Sequence, residues 1–298
     1  MKSKVLIIGS TGFIGRRVAE VLAKEGSLSI QGISSKDIDL LNKKDVLSKL
    51  PDFMKDATVL VTAAITPDKG GNSLEALRKN IEMDFNVAQA IGEVPIRHFI
   101  YISSTDAYGR NNLTLPLHEQ SYLQPSNFYG LAKFMGETML AQACPQKGIP
   151  FTVVRPGPIY GPGDTHQSPV QRFVVSAVQR ETIKLIGTGE EVRDFIYIDD
   201  VAQAIKIIAQ KKLTGAFNLV TAQSRTIKAI VEILEQLCGY PLETQSVAVN
   251  NDADIIYKEP RLLQYVPGFQ FTSLEDGLRA TWAYVKDRNH LAIPSSKV

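Results

Sequence analysis

Tyr129 and Lys133 stand four residues apart in the stretch Tyr129-Gly130-Leu131-Ala132-Lys133. On a helix that spacing places both side chains on one face, one turn apart. A cation beside a phenol favours the phenolate and lowers its pKa toward neutrality. Such a pair suits the proton of an alcohol being oxidised to a ketone. Upstream, Ser103-Ser104-Thr105 ends an apolar run that reads as a parallel strand, and strand C-termini are where open α/β sheets bind ligands. A serine hydroxyl there can hold the substrate oxygen beside the phenol. Of the ten tyrosines, Tyr129 alone is followed four residues later by a lysine.

A second group of residues is suited to a dinucleotide. Gly9-Ser10-Thr11-Gly12-Phe13-Ile14-Gly15 lies between the apolar run 5–8 and a helical pattern carried by Ile14, Val18, Val21 and Leu22. Glycines at this spacing let backbone approach a pyrophosphate and let the helix pack close to the sheet. The helix N-terminus adds N–H donors and the positive end of the helix dipole. Gly9, Thr11, Gly12, Phe13, Ile14 and Gly15 are therefore candidate cofactor contacts. The next strand ends in Ile33-Ser34-Ser35-Lys36, with no acid where one normally holds the ribose 2′-hydroxyl. Ser34, Ser35 and Lys36 can bind a 2′-phosphate that a carboxylate repels, and Arg16 or Arg17 can add charge. NADP is expected in preference to NAD.

The elements that must position these groups follow from hydrophobic periodicity. Short apolar runs at 5–8, 29–34, 58–61, 98–103 and 151–155 read as strands buried on both faces. Helical patterns at 43–54, 74–91 and 129–143 lie between them, with Leu77, Ile81, Phe85 and Ala88 taken as one face of the second. Strands alternating with helices imply βαβ units and a doubly wound α/β fold with a parallel sheet. After Arg155 the pattern loosens into a glycine- and proline-rich loop. Helices are expected at 170–179, 201–209 (after an Asp199 cap), 227–237 and 274–285, and strands at 183–186, 195–198 and 217–220. Trp282 reads as core and Tyr108 as packing.

Composition narrows the class. The chain has 298 residues, 44% of them apolar and 21% charged, ordinary globular values that suit about two domains. Thirty-three basic and 31 acidic residues leave +2, which offers no footprint for nucleic acid. Cys144 and Cys238 have no CxxC partner, and His98, His118, His166 and His290 are scattered, so no metal site is expected. No window reaches the roughly 18 apolar residues of a membrane span. The apolar run after the N-terminal charges is too short for a secretory signal. A cytoplasmic protein without membrane or nucleic-acid partners is expected.

In these motifs the chain resembles the extended short-chain dehydrogenases/reductases, the NAD(P)-dependent nucleotide-sugar epimerase/dehydratase family. The likeness runs through Gly9–Gly15, Ala63-Ala64, Asn80, Ser103-Ser104-Thr105-Asp106-Ala107-Tyr108-Gly109 and Tyr129 to Lys133. It continues in Arg155-Pro156-Gly157-Pro158-Ile159-Tyr160-Gly161-Pro162-Gly163 and Arg193-Asp194-Phe195-Ile196-Tyr197-Ile198-Asp199-Asp200-Val201-Ala202, all in family order. The resemblance implies a Rossmann domain over 1–157, with 194–220 returning to it, and a smaller α/β substrate domain over 158–193 and 221–298. It implies Ser104 as the catalytic hydroxyl, Tyr129 as acid/base, and Lys133 also on the nicotinamide ribose. Asp39-Leu40 would meet adenine, Ala63, Ala64, Asn80, Pro156 and Gly157 would line the cofactor, and Ser104, Thr105 and Arg193 would meet substrate, Arg193 at its diphosphate. It further implies a nucleoside-diphosphate sugar as substrate and a homodimer paired through helices 74–91 and 129–143.

Two positions depart from the family's pattern. The 4,6-dehydratases carry Asp-Glu after the catalytic hydroxyl, whereas Thr105-Asp106 stands here; Asp106 either serves a second proton or bonds backbone in its turn. Pro158 replaces an asparagine that touches substrate phosphate in many members. The leading expectation is an epimerase working by transient hydride transfer at sugar C4. An NADPH-dependent 4-keto-sugar-nucleotide reductase is the alternative, a reductase or lactonising dehydrogenase of a small carbonyl a third, and a non-catalytic NAD(P)-sensing protein the alternative of another class.

Overall fold

Strand β1 (Ser3–Ile8), helix α1 (Phe13–Ala23) and strand β2 (Leu28–Ile33) open the chain in a computed structural model that describes residues 2–111, 113–165, 168–247 and 253–288. Then come α2 (Lys43–Met54), β3 (Ala57–Val61), α3 (Leu74–Ala90), β4 (His98–Ile102), α4 (Phe128–Gln146) and β5 (Phe151–Pro156). His166 and His290 lie outside the described residues.

Past β5 the elements shorten: β6 (Ile159–Tyr160), α5 (Pro169–Gln179), β7 (Ile183–Ile186), β8 (Val192–Arg193) and β9 (Ile196–Tyr197). The chain then forms α6 (Ile198–Lys211) and β10 (Gly215–Leu219), and closes with β11 (Arg225–Thr226), α7 (Ile227–Cys238), β12 (Thr244–Val247), α8 (Leu262–Tyr265) and α9 (Leu274–Asp287).

The main sheet runs β2-β1-β3-β4-β5-β10 with every pairing parallel, the doubly wound α/β fold expected. Alternation within each strand feeds two apolar layers. Leu6, Ile8, Val59, Phe99 and Tyr101 pack with Val46, Leu50, Val87 and Leu140 from α2, α3 and α4. Val5, Ile7, Leu60, Ile100 and Val154 pack with Val18, Leu22, Ile205 and Ile208 from α1 and α6. Chain order reverses between β1 and β3, and ligands of such sheets bind outside the strand ends at that reversal. A third cluster, including Tyr160, Phe173, Ile183, Ile230, Leu234 and Leu278 with Trp282 against it, holds α5, α7 and α9 together.

Helix α3 buries Ala76, Asn80, Asp84 and Val87, while Leu77, Ile81 and Ala88 are half-buried, Ala88 against the core cluster, and Phe85 is 48% exposed. The buried stripe carries polar groups because each finds a partner there. One expectation is corrected. Helix α6 begins at Ile198 with Tyr197 as its N-cap residue, and Asp199 lies inside the first turn, bound to Arg17 Nε at 2.5 Å.

Candidate active site

Four strand ends converge at the reversal. The loop after β1 turns at Gly9, whose φ of +90° strains any side chain, and a Cβ there would meet Ala63 N at 2.7 Å. Thr62, overlooked in the sequence, ties the two strand ends by donating from Oγ1 to Ile8 O and Gly9 O, both at 3.0 Å.

Helix α1 then starts at Gly12 with no side-chain cap and no acid in its first turn. By contrast α2, α3, α4, α5, α7 and α9 each have a side chain accepting from a first-turn N–H. A glycine turn leading into a helix N-terminus that no side chain caps fits the pyrophosphate of a dinucleotide. The residues present therefore suit the nicotinamide cofactor that the motifs imply.

The adenosine end differs from expectation. Ser34 N and Ser34 Oγ both donate to Asp37 Oδ2 at 2.8 Å, and those bonds hold the exposed Asp37 carboxyl below its ordinary value. An anion thus stands in the turn after β2, one residue beyond the acid-free stretch Ile33–Lys36. Ser35 and Lys36 are exposed. Arg16 and Arg17 are already engaged, the first on Gly163 O at 2.9 Å and the second on Asp199 and Glu20. Asp39 is exposed and accepts from Leu41 N, whereas Leu40 is buried in the core cluster. Both ends of the Asn80 amide bond the backbone of Ile65, at 2.8 and 3.0 Å, so Asn80 shapes the loop after Ala63 and Ala64.

Beyond β4, Ser103 is buried and Ser104 caps a short 3-10 turn, accepting from Asp106 N at 3.1 Å. Tyr257, a buried residue without any sequence signal, lies on a segment whose backbone pairs with Leu117, and burial raises its phenol, with Thr105 opposing. The start of α4 lies directly on this turn: a Cβ on Gly130 would stand 2.3 Å from Asp106 O. Tyr129 is thereby brought into the field of Asp106. Burial raises the Asp106 carboxyl, with Arg110 opposing.

The Tyr129 phenol moves opposite to the direction that its spacing from Lys133 implies. Burial raises it, and Asp106, Asp68 and Asp84 add to the rise. Lys133 Nζ instead reaches Tyr101 Oη at 3.3 Å. One helical turn sets two side chains on a face, but their tips follow their own partners.

Pro156 and Gly157 end β5, with Gly157 N donating to Leu219 O at 3.0 Å. A Cβ on Gly157 would lie 3.2 Å from Asp194 O, so the segment carrying Arg193 adjoins this strand end. Arg193 Nη1 donates to Val192 O and Ala253 O, and the residue lines a small cavity with Phe195, Thr221, Gln223, Arg225 and Thr272. Tyr108 is packing as expected, fully buried with Arg155 and Asn218 on its hydroxyl. Among the described residues no group of acids, histidines and cysteines could hold a metal ion.

A model of the NAD-dependent epimerase/dehydratase family matches residues 5–219. The chain belongs to that family. YtcB of Bacillus subtilis (strain 168), named as an uncharacterized UDP-glucose epimerase, is 26% identical over 314 residues, covering 95% of this chain and 98% of YtcB. A UDP-glucuronic acid 4-epimerase from Bacillus cereus, solved with UDP-glucuronic acid and NAD, superposes with TM-score 0.84 at 22% identity over 96% of this chain and 99% of its own. RMD from Pseudomonas aeruginosa, solved with NADPH, reaches 0.85 at 20% identity over 96% and 100%. The chain is an NAD(P)-dependent enzyme of the extended short-chain dehydrogenase/reductase type. No described helix is long and apolar enough to cross a membrane.

Proposed function

We propose that this enzyme is a nucleotide-sugar epimerase that inverts a sugar carbon by transient hydride transfer at C4. The observation that supports the reading is the seating of α4 on the Ser104–Tyr108 turn, with a Cβ on Gly130 only 2.3 Å from Asp106 O, at the end of β4. A bound nicotinamide would supply reversible hydride acceptance. The first turn of α1 would hold its pyrophosphate, and Pro156 and Gly157 would flank its nicotinamide end. Ser104 Oγ holds the C4 oxygen, and Tyr129 takes and returns the C4 hydroxyl proton. Lys133 holds the ribose and offsets the negative charge that develops on the phenol. Asp106, whose carboxyl burial raises, lies in the turn on which α4 rests. Thr105 and Arg193 meet the substrate, Arg193 at its diphosphate, in a cleft between a cofactor domain of 1–157 with 194–220 and a substrate domain of 158–193 with 221–298.

A 4-ketoreductase reading is favoured by the Ser34-Ser35-Lys36 end of β2, which suits NADP. The Asp37 carboxylate bound to Ser34 opposes a 2′-phosphate. Titrating NADPH and NADH into the apo-protein decides between them, and a tenfold preference for NADH, about 1.4 kcal/mol, rejects NADP. The protein acts as a cytoplasmic homodimer on this reading. Leu74 and Phe85 on α3 and Phe128 and Met135 on α4 leave apolar surface exposed on adjacent helices. Phe85→Glu should yield a monomer by light scattering.

The deciding experiment is turnover of UDP-, dTDP-, GDP- and CDP-sugars and their 4-keto forms, with labelled hydride followed. An epimerase regenerates its cofactor and a reductase consumes NADPH. Tyr129→Phe should keep cofactor binding and lose about 10²–10⁴-fold in turnover. Retention of more than a tenth of the rate defeats the mechanism.

A further inference from the structure

Helix α3, strand β4 and helix α4 meet at a buried cluster. Tyr101 Oη donates to Asp84 Oδ2 at 2.6 Å and receives Lys133 Nζ at 3.3 Å. The ammonium also lies 4.5 Å from the centroid of the Tyr101 ring. Asp84, Tyr101 and Lys133 are 5%, 0% and 3% exposed. The space is shaped for them: a Cβ on Gly136, one turn after Lys133, would stand 2.3 Å from both Asp84 Oδ2 and Tyr101 Oη.

A buried ammonium stays charged only where an anion compensates its lost hydration. Burial pulls Lys133 below its ordinary value, and the carboxylates that oppose this are Asp84 and Glu137. Glu137 is already matched by the Arg155 guanidinium, at 2.6 Å, and by the Ser103 hydroxyl. Asp84 has no basic side chain in ion-pair contact among the described residues; Tyr101 is its hydrogen-bond partner.

We propose that Asp84 is the counter-charge of Lys133, acting through the Tyr101 hydroxyl, and so a positioning residue that keeps the lysine charged and aimed at the cofactor ribose. The inference rests on the role given above to Lys133. Burial raises the Asp84 carboxyl to about 6, and Lys133 and Tyr101 hold it down. The other titratable group acting on the cluster is Tyr129, which with Glu137 bears on Tyr101.

Asp84→Asn separates charge from packing, because the amide oxygen still accepts from Tyr101. The measurement is the pH titration of the Lys133 ¹⁵Nζ signal by NMR, assigned by its loss in Lys133→Arg, together with NADH and NADPH affinity at pH 8. Asp84→Asn should move the Lys133 midpoint down by at least one pH unit and weaken both cofactors at least threefold. Tyr101→Phe, which keeps the carboxylate and breaks the bridge, should move the midpoint less, and it carries the test if Asp84→Asn does not fold. Lys133 titrating within 0.3 units of wild type in both variants overturns the proposal. The readout needs no substrate: a shifted lysine in a protein that turns over no sugar nucleotide supports the counter-charge while rejecting the epimerase, and an unshifted lysine in an active epimerase rejects only the counter-charge.

Discussion

Helix α4 carries two buried charge networks one turn apart, and they are built differently. At Glu137 the pairing is direct and saturated. Arg155 Nη2 and Nε reach the carboxylate at 2.6 and 2.9 Å, Ser103 donates to it, and Arg155 Nη1 binds Tyr108 Oη and Glu119 O. Burial lowers the guanidinium, but Glu137 outweighs it and leaves Arg155 above its ordinary value. At Lys133 the anion is one hydroxyl removed and the net effect is a lowered ammonium. A saturated pair locks β4, α4 and β5 into one frame. A lysine whose charge is balanced at a distance keeps donors free for a ligand. The first network braces the strand ends, and the second is the one proposed to serve the cofactor.

The sharpest way to break the contrast is to unpair the brace. Arg155→Met should leave Glu137 buried without its partner and cost about 3–5 kcal/mol, read as a fall in the urea midpoint. Adding Glu137→Leu should recover most of the loss, and a double variant no more stable than the single one would show that packing, not charge, is responsible.

A smaller effect is expected on the serving side. Gly136→Ala forces Asp84 and Tyr101 apart and should cost about 1–3 kcal/mol, the usual range for overpacking. In an Asp84→Ala, Tyr101→Phe background the two closest opposing atoms are gone and only the ring carbon Cζ of residue 101, at 2.8 Å, remains, so the same substitution should cost less. An equal cost in both backgrounds would place the strain elsewhere.

The smallest effect is on pH dependence. Because the folded-state value of Asp84 is raised to about 6, its contribution to stability is full below the ordinary carboxylate range and is lost as pH rises through about 6. Asp84→Asn should therefore flatten the part of the decline in stability between pH 4 and pH 6. An unchanged slope would mean that Asp84 titrates as an exposed carboxyl does.

Much of the frame was legible from local pattern. Val5 to Ile8 and Thr58 to Val61 read as strands because buried parallel strands are apolar on both faces, and both are strands in the main sheet. The glycines from Gly9 to Gly15 were legible because a turn that close to a neighbouring strand tolerates little else. Tyr129 and Lys133 were marked by spacing on one helix. The burial of Asp84 on α3 was not legible because an aspartate looks like a surface residue until Tyr101, distant in sequence, is seen to satisfy it. Asp37 escaped notice because it reaches its place through a turn that returns to Ser34.

Residue order thus settled the sheet, its helices and which groups could do chemistry, since periodicity and glycine placement are local properties of the chain. The partner of each buried charge was decided only on folding. Lys133 points to Tyr101 and Glu137 to Arg155 because desolvated groups take whatever complement the packed elements bring within reach, and that complement comes from other strands and helices.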